Sequence, residues 1–255
     1  MTTTAIVVPC FDEAARLDVA ALAGLSTLAG ARVVLVDDGS TDGTAAVLRT
    51  ATSAHPERFG VVTLPDNRGK GEAVRTGLQV ALAEGADVVG YYDADLATPP
   101  AEMARLVDEL RGHPERSVVL GSRVGLLGHE IERSAARHYL GRLHATASST
   151  VLRLPVYDTQ CGAKVLRAGP ELTTALATPF TSRWSFDVEL IGRLLRAGLP
   201  ADRFVEVPLR TWRDVGGSKL GVRAAIVAGL DLARIALALR RHPVGTIGAS
   251  NRPTV

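Results

Sequence analysis

Two carboxylates one residue apart, Asp93 and Asp95, follow an apolar run in "VVGYYDADLATPP", residues 88–100. A solvated loop or a helix N-terminus can carry such a pair. So can a site for a hard divalent cation, because Mg²⁺ and Mn²⁺ bind carboxylate oxygens and phosphate oxygens together. Pro99 and Pro100 signal a helix start, which leaves room for one acid to act as a cap. Similar polar clusters close three earlier apolar runs: Pro9 to Glu13, Asp37–Asp38–Gly39–Ser40, and Asn67 to Gly71.

The elements that would carry these clusters alternate. "AIVVP" (5–9), "RVVLVDD" (32–38), "GVVTLP" (60–65), "DVVGYYD" (87–93) and "SVVLGSR" (117–123) read as strands covered on both faces. Helical patterns fall between them at 13–29, 42–53, 69–84 and 99–111. This alternation predicts an α/β fold with a mainly parallel central sheet and helices on both faces. In such sheets ligands bind beyond the C-terminal strand ends, so the four polar clusters describe one crevice. Past residue 123 the rhythm changes. Helices are expected at 133–153, 185–198 and 219–241, with a strand-like "RFVEVPLRTW" at 203–212. One domain is expected over 1–241, with a first half at 1–110 and a second at 111–241. Residues 242–255 lack periodicity and read as a disordered tail.

Composition narrows the classes. The chain has 255 residues, 46% of them hydrophobic and 22% charged, ordinary values for a globular protein with a sizeable core. Cys10 and Cys161 are the only cysteines, so no disulfide framework is implied and a reducing cytoplasm is expected. "MTTTAIVVPCFDE" lacks the basic n-region of a signal peptide. No window reaches the roughly 18 uninterrupted apolar residues of a membrane span; Asp231 and Arg234 break the best one, 224–239. The net charge of +2 hides an asymmetry. Residues 1–110 hold 8 basic against 16 acidic side chains, and residues 111–255 hold 21 against 11. An acidic first half suits a bound cation, and a basic second half suits phosphates or an anionic membrane surface; both also simply keep a protein soluble.

"VVPCFDEAARL", "VVLVDDGSTDGT", "NRGKGEAVRTGL" and "DADLATPP" resemble, in this order, the nucleotide-sugar half of the family 2 inverting glycosyltransferases with the GT-A fold. "GSR", "DTQCGAKVLR", "RWSFDVEL" and "WRDVGGSKL" are similar to the dolichyl-phosphate glucosyltransferase branch, with the dolichyl-phosphate mannose synthases more distant. The resemblance spans about residues 5–235 and implies transfer of a hexose from UDP-glucose, or from GDP-mannose, to a polyprenyl phosphate. Many members of the family carry membrane-spanning helices and this sequence shows none, so a cytoplasmic protein is expected, with peripheral attachment at the cytoplasmic face of the membrane as the alternative. Nucleic acid is not an expected partner.

The resemblance assigns roles to positions. Asp95 would bind the metal, and Asp93 the metal or the ribose, with Ala94 between them lining the nucleotide-sugar site. Pro9, Phe11 and Glu13 match the base-binding start, although Phe11 can equally be core. Asp37 and Asp38 would face base and ribose or hold a turn. Lys70 and Arg75 lie where glycines let phosphate approach a helix start, although Arg75 can equally be a solvated helix residue. Arg123 and Arg137 are spaced like a pair that clamps the lipid phosphate, with Arg133 an alternative for the second; guanidinium forks match phosphate geometry. Asp158 of "DTQCG" would organise the site, or act as base if the acceptor is an alcohol, and Cys161 is expected to be packed and inert. Gln160, Trp184 and Asp187 are candidates on the sugar and acceptor side, Trp184 and Phe186 also reading as core. Arg213, Ser218 and Lys219 surround two glycines that suit a mobile segment over the diphosphate. His129, His138 and His144 form no metal spacing and read as surface residues.

Overall fold

The computed structural model describes residues 2–132, 135–215 and 222–240, without the side chains of 135–138, 140, 222–228 and 240. In chain order the elements are β1 (Thr4–Cys10), α1 (Val19–Ala29), β2 (Arg32–Asp37), α2 (Thr44–Ala54), β3 (Phe59–Thr63), α3 (Lys70–Ala83), β4 (Val88–Tyr92), α4 (Pro100–Gly112) and β5 (Val118–Ser122). They continue with β6 (Glu130–Glu132), α5 (Ala135–Leu152), β7 (Ala163–Arg167), α6 (Pro170–Leu176), α7 (Phe186–Arg196), β8 (Phe204–Pro208), β9 (Thr211–Arg213) and α8 (Val222–Arg240).

Seven strands form one sheet in the order β3-β2-β1-β4-β7-β5-β8, and β6 pairs with β9 in a separate two-stranded sheet. All pairings in the main sheet are parallel except those of β7, which runs antiparallel to both β4 and β5. The expected α/β architecture with a mainly parallel sheet is therefore present, with one reversed strand that the sequence reading did not find.

The pleat explains the continuous apolar runs. In β1, Ala5 and Val7 face one layer, built from α3, α6, α7 and α8 residues such as Val74, Leu172, Phe186 and Ile235. Ile6 and Val8 face the other layer, where Leu22, Leu48 and Met103 of α1, α2 and α4 pack. Helix α3 lies especially close to the sheet. A Cβ at Gly77 would come within 2.4 Å of Val7 Cγ1 and 2.8 Å of Val36 Cγ2.

Three of the departures from expectation have a local reason. The helix expected from residue 13 begins at Val19. Residues 13–17 form a hydrogen-bonded turn instead, and Asp18 caps the helix by accepting from the Ala21 N–H at 2.9 Å. The single strand expected over 203–212 splits at Pro208, which has no N–H to continue a ladder, and Thr211–Arg213 joins the small sheet. Strand β7 was missed because Lys164 interrupts its apolar run. The tail 242–255 lies outside the described residues.

Ala for Gly77 sets two effects against each other. Helix propensity favours Ala by about 1 kcal/mol, whereas a methyl forced between two packed valines costs about 1–3 kcal/mol or more. The separations are far below contact distance, so urea denaturation of Gly77→Ala is expected to show a net loss of stability. A gain would show that α3 sits farther from the sheet.

Candidate active site

Parallel strands place the ends of β1, β2, β4 and β5 along one edge of the sheet. Because β7 is reversed, its beginning lies at that same edge: Ala163 pairs with Tyr92, and Lys164 with Leu120. The segment Asp158–Gly162 therefore arrives beside Asp93. The Asp93 N–H donates to the Gly162 carbonyl at 3.0 Å. A Cβ at Gly162 would fall 2.0 Å from Asp93 Oδ2 and 2.1 Å from its Cγ. Glycine is required here for space, because the carboxylate of Asp93 occupies the volume a side chain would need.

Asp95 follows, with Ala94 buried between the two acids. Asp95 Oδ1 accepts from the Ala97 N–H at 3.0 Å. Burial raises the pKa of Asp95, and the neighbouring charge of Asp93 raises it further. Lys70, the first residue of α3, places Nζ 2.6 Å from Asp93 Oδ1. Its side chain remains 40% exposed; partial loss of water disfavours its charge, but Asp93, with Asp187 and Asp95 beyond it, reverses that effect and raises its pKa. Among the described residues no group of three or more His, Cys, Asp or Glu is arranged to hold a metal ion. Two mutually repelling acids nevertheless fit a cation whose remaining ligands are phosphate oxygens and water, the usual Mg²⁺ pattern.

The loops around this pair are tied together by acids. Asp12, in the left-handed region at φ 50°, accepts from the Thr41 N–H at 2.9 Å, and Glu13 N–H donates to Thr44 Oγ1 at 2.8 Å. Asp37 accepts from the Ser40 N–H at 3.0 Å, so the turn role weighed for it is present. Asp38 is buried and accepts from the N–H groups of Arg68 and Gly69, both at 2.8 Å, which anchors the start of α3 under Lys70. The Glu13 carboxylate is paired with Arg16, with Nη2 to Oε1 at 2.6 Å. Pro9 is half-buried and Phe11 is exposed, which leaves Phe11 out of the core.

Arg75 stands apart from this crevice. Its guanidinium is held by Glu72 at 2.6 and 2.8 Å and by the Leu176 carbonyl at 2.9 Å, joining α3 to α6. The geometry gives it a packing role, unlike the expected nucleotide contact.

On the other side, Arg123 is engaged by Asp158. Its N–H and Nε donate to Oδ2 at 3.0 and 2.7 Å, and Nη2 donates to Oδ1 at 2.9 Å. The guanidinium also lies 5.3 Å from the ring centroid of Trp212. Glu206 steadies the loop by accepting from the Tyr157 and Asp158 N–H groups at 2.6 and 2.7 Å. Burial by itself would raise the pKa of Asp158, but Arg123 overrides it and holds the carboxyl well below the usual carboxylate range. Gln160 N–H donates to Asp158 Oδ1 at 3.0 Å, while its Nε2 is buried with no hydrogen-bond partner among the described residues. Cys161 is fully buried and its thiol is pushed up to about 11 by burial, which keeps it protonated and inert as expected.

Asp187 is buried behind Lys70. It accepts from the Tyr91 hydroxyl and from Lys164 Nζ, the latter at 2.5 Å, and Lys164 also donates to the Cys161 carbonyl at 2.5 Å. A lysine 1% exposed inside a strand needs such partners, and the pair fixes α7 to β7. Phe186 is core, but Trp184 is 55% exposed, contrary to its core reading. Arg213 is exposed on β9, and its N–H donates to the Ala97 carbonyl at 3.0 Å, next to the Asp95 turn. The His129 ring is held at the Leu209 carbonyl, 2.8 Å away. His144 is half-buried rather than a surface residue, and burial lowers its pKa. The side chains of Arg137 and His138, and all of Arg133, Ser218 and Lys219, lie outside the description. Lys164, Gly162, Glu206 and Trp212 were not found from sequence. The one available signal was a lysine between β-branched and small residues directly after "DTQCG".

The Asp158 pKa fixes a pH dependence. Its native value is depressed, so its contribution to stability is complete above the unfolded value of about 3.9 and is lost as pH falls below it. Asp158→Asn is expected to cost about 3–5 kcal/mol at pH 7, because it strands the buried charge of Arg123. Chemical denaturation is expected to show the gap between wild type and variant narrowing from pH 5 to pH 3. A gap independent of pH would rule out the carboxylate as its source.

The profile described as Glycosyl transferase family 2 matches residues 5–167. Dolichyl-phosphate beta-glucosyltransferase of Mus musculus is 32% identical over 234 residues, covering 84% of this chain and 68% of that protein. Polyprenol monophosphomannose synthase of Mycolicibacterium smegmatis is 27% identical over 218 residues, covering 85% and 80%. The chain spans 57 to 69% of the length of the dolichyl-phosphate beta-glucosyltransferases it matches. In fold it resembles glucosyl-3-phosphoglycerate synthase from Mycobacterium tuberculosis, solved with Mn²⁺, uridine diphosphate and glucosyl-3-phosphoglycerate. The TM-score is 0.64 at 22% identity, covering 95% of this chain and 81% of that one. With a family profile matched across most of its length, this chain belongs to glycosyl transferase family 2.

Proposed function

We propose that the protein is an inverting, metal-dependent hexosyltransferase that moves a sugar from a nucleoside diphosphate to a polyprenyl phosphate. UDP-glucose is the first candidate donor, because the mouse relative is named for glucosyl transfer to dolichyl phosphate. GDP-mannose is the second, because of the likeness to a polyprenol monophosphomannose synthase. Asp93 and Asp95 would hold the cation, whose charge, when bound, offsets the negative charge of the departing diphosphate. Asp37 and Asp38 support the loops on which the nucleoside would rest. Arg213, beside the Asp95 turn, suits the diphosphate, and Gln160 suits the transferred sugar or the acceptor. Arg137, and Arg123 through the guanidinium N–H groups that Asp158 leaves unbound, would orient the acceptor phosphate.

The observation that carries the acceptor class is the state of Asp158. An alcohol acceptor must lose a proton as it attacks, and its base works best with a pKa near the working pH. Asp158 is bound on both oxygens by Arg123 and held far below that range, so it is a poor base. A phosphate monoester needs no base. Its second pKa is near about 6, and its oxygen is already anionic at neutral pH. It attacks the sugar C1 from the face opposite the diphosphate, which inverts the anomeric configuration. Among the described residues no helix is long and apolar enough to cross a membrane. We infer peripheral contact with the cytoplasmic face, where a polyprenyl phosphate presents its head group.

The test is direct. Protein incubated with UDP-glucose or GDP-mannose and a short polyprenyl phosphate is expected to give a glycosyl phospholipid by mass spectrometry with Mn²⁺ or Mg²⁺, and none after chelation. No product with any donor–acceptor pair would overturn the reading. Gly162→Ala should keep its circular dichroism spectrum and lose about 10²-fold in rate, because its Cβ displaces the Asp93 carboxylate. An unchanged rate would remove Asp93 from the reaction.

A further inference from the structure

Lys70 pairs directly with the first acid of the pair, Asp93. Its ammonium lies 2.6 Å from Asp93 Oδ1, with Asp95 and Asp187 also acting on it and its Nζ 6.0 Å from the Phe186 ring centroid. The backbone beneath it is fixed. Gly69, at φ +93°, donates its N–H to Asp38, and Gly71 packs so closely on Phe186 that a Cβ would fall 2.8 Å from the Phe186 Cβ. Four methylenes separate this anchored backbone from the charge, so Nζ can move while α3 stays in place. The other ammonium of the cluster has no such freedom, because Lys164 is held by Asp187 and the Cys161 carbonyl.

We propose that Lys70 competes with the divalent cation for Asp93, and that the diphosphate relieves the competition by drawing the ammonium away. This inference rests on reading Asp93 and Asp95 as the metal pair and deepens that reading. A divalent cation binds carboxylate oxygen at about 2.0–2.1 Å in the case of Mg²⁺. An ammonium already 2.6 Å from the same oxygen would then face a double positive charge at close range. Cation alone must therefore displace Lys70 into surroundings that offer it less negative charge. A nucleoside diphosphate supplies that charge, since its oxygens accept from an ammonium as readily as a carboxylate does. Metal and nucleotide consequently bind with positive coupling, and by reciprocity each tightens the other equally. The residue thus acts as a positioning residue that keeps cation binding tied to the arrival of donor.

The competition is read from binding, independently of turnover. Mn²⁺ titrations followed by electron paramagnetic resonance would compare wild type, Lys70→Met and Lys70→Arg, each alone and with UDP or GDP. Lys70→Met is expected to bind Mn²⁺ alone about 5–100-fold more tightly than wild type and to show a smaller tightening by nucleotide, the remainder coming from direct phosphate ligation of the metal. Lys70→Arg, which keeps the charge, is expected to stay close to wild type for Mn²⁺ alone. If Lys70→Met binds Mn²⁺ alone no better than wild type, or keeps the full nucleotide effect, the proposal is overturned. If wild type binds no Mn²⁺ with either nucleotide, the metal reading fails first and this inference falls with it. A thermal melt checks that the Met variant is folded: its Tm is expected to rise more with Mn²⁺ alone than that of wild type, and an equal rise would again contradict the proposal.

Discussion

Mutual repulsion between Asp93 and Asp95 is the constraint around which the cleft is organised. Two carboxylates one residue apart, at the end of a strand buried on both faces, are unfavourable unless positive charge or hydrogen-bond donors meet them. The fold supplies both in measured amounts. Lys70 meets Asp93, the Ala97 N–H meets Asp95, and a glycine opposite leaves space for the first carboxylate. These partners steady the pair without neutralising it, since the pKa of Asp95 remains raised. The residual negative charge is what would give the site affinity for a divalent cation carrying phosphate ligands.

A second feature follows from chain direction. Had β7 run parallel, its beginning would lie at the far edge of the sheet and "DTQCG" would be remote from the acids. Reversal brings Asp158, Gln160 and Gly162 to the strand ends where β4 and β5 finish. The first and second halves of the chain therefore share one sheet and meet along a single edge. The buried Lys164–Asp187 pair seals this arrangement by linking β7 to the first turn of α7. Such a pair is costly to break on one side only, which makes it a device for fixing position more than a source of net stability.

The first half was legible because its strands are continuous apolar runs ended by acids and glycines. That pattern marks the parallel strands, the polar clusters at their ends and the acid pair. The second half was less legible because its decisive contacts are long-range. The charge of Lys164 hides a strand, and only the partner 23 residues away explains it. Arg123 looks like a free phosphate ligand in sequence, yet it is bound by an acid 35 residues on. Arg75 looked like a phosphate ligand too, although Glu72, one helical turn before it, takes its guanidinium. Trp184 shows the opposite limit: an aromatic residue at a helix start reads as core, but its loop leaves it facing solvent while Phe186 fills the interior.

Diffraction from crystals grown with Mn²⁺ and UDP tests the central claim most directly, since manganese gives an anomalous signal independent of any assay. The account predicts a peak within bonding distance of Asp93 or Asp95, bridged to the diphosphate, with Lys70 turned from the acid toward a phosphate oxygen. Nucleotide bound in the cleft without a manganese peak, or with the metal held elsewhere while Lys70 still pairs with Asp93, would contradict it.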